Sequence, residues 1–167
     1  MLEIRNYSYT ISDNSALDIP SRIISELYEY TQRGITDTES CGYLLGYVNT
    51  INGSITVTKI TTPGKSDIRN RYFCRLRDHS HYRIMKREAK KKNYFLGTWH
   101  THPQGMPYPS STDITDWKKT LDGKHSVYEC IFFVIIGTEQ LKIWCGFFKN
   151  KSICELNERN RNNGLYI

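Results

Sequence analysis

The sequence contains no apolar run long enough to cross a membrane. Its longest, Cys130-Ile-Phe-Phe-Val-Ile-Ile136, has the length and composition of a buried strand. It contains no Cys-x-x-Cys pair either. Five cysteines (Cys41, Cys74, Cys130, Cys145 and Cys154), odd in number and scattered, predict reduced and mostly buried thiols instead of a disulfide framework. No secretory pattern opens the chain at Met1-Leu-Glu-Ile-Arg5, and together with the cysteine usage this predicts a cytoplasmic protein. No repeat, linker or second composition regime is visible, so residues 1–167 are expected to form one domain, with 155–167 a loose polar tail. The net charge of +6 lacks the interleaving of cations with aromatics that stacks bases, which disfavours nucleic acid as a partner.

Apolar residues at 38% and aromatics at 13% fit a folded domain able to bury its own core. Arg83, Lys86, Arg87, Lys90, Lys91 and Lys92 lie on a predicted helix from Asp78 to Lys92. Such a run is either a solvated face or a docking surface for an acidic protein. Elsewhere, strands are expected over 2–11, 39–48, 55–61, 70–76, 94–102, 128–137 and 140–149. A helix is expected from Asp18 and Pro20 to Gly34, where Ile23, Ile24, Leu27 and Tyr30 recur at helical spacing, and another over 112–121. The order β-α-β-β-β-α-β-α-β-β means an α/β (α+β) chain with a curved mixed or antiparallel sheet flanked by helices.

One stretch carries chemistry: Gly97-Thr-Trp-His-Thr-His-Pro-Gln-Gly-Met-Pro-Tyr-Pro-Ser-Ser-Thr-Asp113. On a strand, His100 and His102 share a face while Thr101 points away. Pro103, Gly105, Pro107 and Pro109 then impose a turn, and Ser110-x-x-Asp113 opens a helix. Two imidazoles and a carboxylate make a three-ligand set with a fourth position left to water. Ser110 and Asp113 also fit a capping box, which would fix the aspartate rotamer without excluding metal binding. A second His-x-His, His79 and His81, begins a helix, where i and i+2 diverge, and no carboxylate follows at a suitable spacing. It is read as a helix start or a substrate contact.

His-x-His, seven residues, Ser-x-x-Asp resembles the JAMM motif of the JAB/MPN+ metallopeptidases, which have a cytidine-deaminase-like architecture. That motif includes an upstream glutamate, and Glu39 in Glu-x-x-Gly-x-Leu-x-Gly (Glu39, Gly42, Leu44, Gly46) is similar to its glutamate segment. The resemblance implies one zinc ion per chain held by His100, His102 and Asp113, Glu39 as general base, and Ser110 with the metal polarising the carbonyl. Arg75-Leu-Arg-Asp-His-Ser-His81 and Pro-Ser-Ser-Thr-Asp-Ile-Thr-Asp-Trp117 resemble a narrower bacterial group, JAB proteins encoded beside cGAS-like nucleotidyltransferases in anti-phage (CBASS) operons. By that analogy the substrate is an amide or isopeptide bond just after a nucleotidyltransferase's C-terminal residue. Its tail would add to a sheet edge, with Lys65 to Arg77 as a flap. No substrate-binding residue is assigned.

Three alternatives stand beside this reading. A JAB peptidase trimming a ubiquitin-like or sulfur-carrier precursor would use the same five residues. A zinc nucleobase deaminase needs His-x-Glu with Pro-Cys-x-x-Cys, which is absent. A basic non-enzymatic adaptor would need none of the five.

Overall fold

The computed structural model describes residues 6–123 and 127–159. Along the chain lie β1 (Asn6–Ser12), β2 (Ser15–Pro20), α1 (Ser21–Tyr28), β3 (Cys41–Val48), β4 (Ile55–Ile60), β5 (Ile68–Asn70), β6 (Phe73–Arg75), α2 (His79–Ala89), β7 (Tyr94–Thr101), α3 (Ser111–Asp122), β8 (Cys130–Ile136), β9 (Leu141–Phe147) and β10 (Ile153–Glu155). Eight strands form one curled sheet in the order β1-β2-β4-β3-β7-β8-β9-β10, and β5 and β6 pair separately. Two pairs are parallel, β2 with β4 and β7 with β8; the other pairs are antiparallel. A parallel pair needs a crossover, and α3 supplies the one between β7 and β8.

Apolar patterning explains the layers. Every residue of β8 is buried, as a strand covered on both faces requires. Its alternate residues part to opposite sides. Phe132, Val134 and Ile136 join the larger core, with Ile23, Ile24 and Leu27 of α1. Ile131, Phe133 and Ile135 face Trp117 and Leu121 of α3. Trp117 stacks on Phe133 with centroids 4.5 Å apart.

Several expectations change at the element ends. Pro20 is the N-cap of α1, as its fixed φ suits, but the helix stops at Tyr28, well short of Gly34. Beyond it, Thr31 donates its hydroxyl hydrogen to the Tyr28 carbonyl, and the chain turns inward. The residues before Pro20 add a strand, β2, that alternation over so short a stretch did not signal. The single strand expected over 70–76 is instead the β5–β6 hairpin. Residues 155–159 are not loose: Thr10 N donates to the Asn157 carbonyl at 3.0 Å and Arg159 N to the Ser8 carbonyl at 2.7 Å, and Leu156 is buried. Residues 160–167 of that expected tail lie outside the described residues.

The cysteine expectation is corrected as well. Cys130 and Cys145 are buried free thiols, and Cys154 is free but exposed. Cys41 and Cys74, however, are joined, linking the first residue of β3 to β6. Nothing in a separation of 33 residues marks two scattered cysteines as partners; the fold brings their Cα atoms to 6.0 Å.

Closing a loop of that length contributes about 3–4 kcal/mol in the chain-entropy account. Cys74→Ser should therefore lower the thermal midpoint by roughly 10 °C in non-reducing buffer. Differential scanning fluorimetry checks this, and reductant should bring the wild type down to the variant's value.

Candidate metal centre

The site is built at the end of β7. The strand's alternation puts Trp99 and Thr101 into the interior and leaves His100 and His102 together on the other face. Thr101 pairs with Ile136 of β8, and His102 N donates to the Ile136 carbonyl at 2.9 Å before Pro103 ends the ladder. Across the groove, Ser110 caps α3 in a reciprocal capping box: Asp113 N donates to Ser110 Oγ at 3.1 Å, and Ser110 N to Asp113 Oδ2 at 2.6 Å. Asp113 is thus aimed back at the strand.

The three side chains converge. His100 Nε2 and His102 Nε2 lie 3.1 Å apart, with Asp113 oxygens at 3.2 and 3.4 Å from them. One ligand atom from each falls within 4.8 Å of the others. Two imidazole nitrogens aimed at each other and at one carboxylate form a cradle of electron pairs that a cation would satisfy. His102 Nδ1 is buried with no partner among the described residues. Two nitrogens and one oxygen suit zinc. The residues therefore fit the expected ion.

Titration reflects the crowding. Burial alone would raise Asp113, but hydrogen bonds from His100, His102 and Ser110 hold it well below the usual carboxylate range. Burial alone would lower His102, yet the hydrogen bond and charge of Asp113, with the charge of Glu39, raise it. Glu39 is 7% exposed. Burial pushes its pKa up to about 8; the His102 and Arg69 charges oppose this and that of Asp113 adds to it.

Glu39 reaches the site because β3 lies beside β7, with Cys41 opposite His100, and because Thr101 N donates to the Ser40 carbonyl. The glycine three residues on has a backbone reason. A Cβ at Gly42 would sit 1.9 Å from the Thr61 carbonyl oxygen, which also accepts Trp99 Nε1–H. Glu39, His100 and Asp113 share a cavity of about 530 Å³ that runs between the β5–β6 hairpin and α3, with Phe73, Phe95 and Trp117 among its walls. Ser110 and His102 line an adjoining cavity with Glu39. The Ser110 hydroxyl donates to Asp113 Oδ2 at 2.6 Å.

All five residues read from the motif thus come together, and the second histidine pair does not. His79 is exposed, whereas His81 is buried with Nδ1 2.8 Å from Thr61 Oγ1 and Nε2 2.7 Å from Asp67 Oδ2. Asp67 also accepts the backbone N–H groups of Gly64, Arg77 and Asp78, closing the base of the 65–77 segment. Gln32, which bonds to Thr101 of β7, and Arg69, which bonds to Glu39 and Ser40, escaped the sequence reading because they lie far along the chain from those partners.

Fold and clustered donors together define a class, an α/β domain carrying a candidate metal site of two histidines and an aspartate. The chain belongs to the family of prokaryotic homologs of the JAB domain, whose model matches residues 20–146. It is 32% identical over 131 residues to a CD-NTase/cGAS isopeptidase of Escherichia coli (strain TW11681), covering 77% of this chain and 79% of that one. Against a CD-NTase/cGAS isopeptidase of Vibrio cholerae serotype O1 the identity is 31% over 133 residues, with the same coverage of 77% and 79%. The fold is similar to the solution structure of protein DSY2949 from Desulfitobacterium hafniense (TM-score 0.57, 17% identity, 82% of this chain and 87% of that one).

Two outcomes follow from the site. Zinc titration should saturate at one ion per chain, and His102→Ala or Asp113→Ala should abolish tight binding, read by competition with a chromogenic chelator. The second concerns pH in the metal-free protein. Glu39 binds its proton more tightly folded than unfolded, so its contribution to stability is present below its ordinary value of 4.5 and is lost as pH rises toward 8. Between pH 5.5 and 8.5 in EDTA, the wild-type thermal midpoint should fall by roughly 3 °C or more beyond that of Glu39→Gln.

Proposed function

We propose that this protein is a zinc-dependent isopeptidase that hydrolyses the amide bond following the C-terminal residue of a conjugated protein. The conjugated protein is proposed to be a cGAS-like nucleotidyltransferase, and the setting cytoplasmic CBASS antiviral defence, with the chain acting as one catalytic domain. The observation that carries the reading is the convergence of His100, His102 and Asp113 at 3.1–3.4 Å in a groove that also holds buried Glu39. The names of the relatives support the substrate class. Among the described residues no helix is long and apolar enough to cross a membrane.

When bound, the ion would supply Lewis-acid charge to the scissile carbonyl and acidify the attacking water. The chain's own groups do the rest. Glu39, once ionised, accepts the water's proton and passes it to the leaving amine. Its carboxyl is buried beside the site, so the proton travels within the groove instead of through bulk solvent. Ser110 turns its hydroxyl hydrogen from Asp113 to the developing oxyanion; the Ser110 N–H still holds the aspartate in place. Phe73, Cys74 and Arg75 of β6 line the groove, and among the described residues β6 pairs on one side only, with β5. An extended tail adding to its other edge would enter the groove toward Glu39.

The test is cleavage of a nucleotidyltransferase fused through its native C-terminus to a reporter protein. The zinc-loaded wild type should cut immediately after that residue. EDTA should stop it, and Glu39→Ala should lower kcat/KM by about 100-fold or more. Full activity in Glu39→Ala would favour a binding adaptor. A zinc-loaded protein that cuts only a ubiquitin-like or sulfur-carrier precursor would replace the substrate and keep the chemistry.

A further inference from the structure

Gln32 is a buried amide, 2% exposed, that no step above uses. A buried polar side chain is costly unless each of its groups is paired, and here the pairing runs in one direction. The Gln32 Nε2 group donates to the Arg71 carbonyl at 2.8 Å and to the Asp37 carbonyl at 3.4 Å. Carbonyls only accept, so this end of the amide is the NH2 and the other end is the oxygen. That oxygen receives the Thr101 hydroxyl at 3.0 Å. The same hydroxyl accepts Ser40 N–H at 2.9 Å, so its single hydrogen is left for Gln32.

Thr101 stands between His100 and His102, and Ser40 follows Glu39. Arg71 belongs to the flap, whose neighbouring residues hold the glutamate directly. Asn70 O accepts Glu39 N–H at 2.7 Å, Arg69 Nε donates to the Glu39 carbonyl at 2.6 Å, and Arg69 Nη2 donates to Ser40 Oγ at 2.6 Å. Arg71 itself donates from Nη1 to the Gly34 and Ile35 carbonyls. Three segments that share no local sequence are therefore tied to one amide.

We propose that Gln32 and Thr101 are positioning residues. They hold the glutamate segment, the histidine strand and the flap in one frame, and so keep the Glu39 carboxyl and the two imidazoles at a fixed separation. The catalytic consequence rests on the isopeptidase reading; the mechanical one does not.

Thr101→Val keeps the side-chain shape and deletes the relay, Gln32→Met deletes it from the other end, and Thr101→Ser restores the hydroxyl. On the reporter fusion, Thr101→Val and Gln32→Met should lower kcat by about 10-fold or more with KM within about twofold, and Thr101→Ser should keep kcat within about threefold of wild type. Two readouts need no substrate. Tryptic cleavage after Arg71, followed by mass spectrometry under conditions where every variant is folded, should accelerate in Gln32→Met. The visible ligand-field spectrum of the cobalt-loaded protein should change in both deletions and keep its wild-type form in Thr101→Ser.

Folded variants with unchanged kcat, cleavage rate and spectrum would overturn the proposal. So would Thr101→Ser falling as far as Thr101→Val, or KM rising with kcat intact, which would move the network's role to tail binding. A wild type inactive on the fusion would sink the isopeptidase reading, while the proteolysis and cobalt spectra would still decide the positioning claim.

Discussion

The pairing of β3 with β7 is the constraint on which the site depends. It sets Cys41 opposite His100 and Gly42 opposite Trp99. Glu39 and Ser40, just before β3, are thereby carried to the level of the β7 histidines. A register slip of one residue would turn His100 and His102 into the core and Thr101 to the groove. The pairing is held by close approach at Gly42, where the Thr61 carbonyl and the Trp99 indole fill the space a side chain would need. A glycine in a strand ordinarily weakens it; here it lets two strands and a tryptophan meet.

Around that pairing the electrostatics are arranged without waste. Asp113 is fixed by the N-cap of its own helix, so its rotamer is set by local sequence and its target by the crossover from β7 through α3 to β8. Glu39 is carried to the site from the segment leading into β3 and buried, which separates its proton affinity from that of Asp113. Divergent carboxylates in one groove are the pattern expected when one holds a cation and the other moves a proton.

The segment from Lys65 through α2 shows a second kind of order. Between Lys65 and Lys92 lie eleven of the chain's 23 basic residues and three acids. The three acids are engaged with the fold: Asp67 binds His81 and backbone N–H groups, Asp78 caps α2, and buried Glu88 holds Lys91 and Asn93. Arg83, Lys86 and Arg87 are exposed on α2, as is Lys90 at its C-cap. The inner stripe of that helix, His81 and Glu88, is buried and bonded within the fold, and its basic residues face outward.

The sequence by itself determined what depends on short range. Strand alternation put His100 and His102 on one face, Ser110-x-x-Asp113 set a capped helix start, and the apolar run at 130–136 specified a strand covered on both sides. Each follows from residue period or backbone bonding within a few positions. Glu39 was legible only through a motif, since its partners lie some sixty residues on. Only the tertiary structure decided the rest: the Cys41–Cys74 link, the split of 68–75 into a hairpin, the docking of 155–156 on β9 and of 157–159 on β1, and the meeting of Gln32 with Thr101. Those contacts join segments that no spacing rule connects, because which strands become neighbours depends on how the whole sheet buries its two faces.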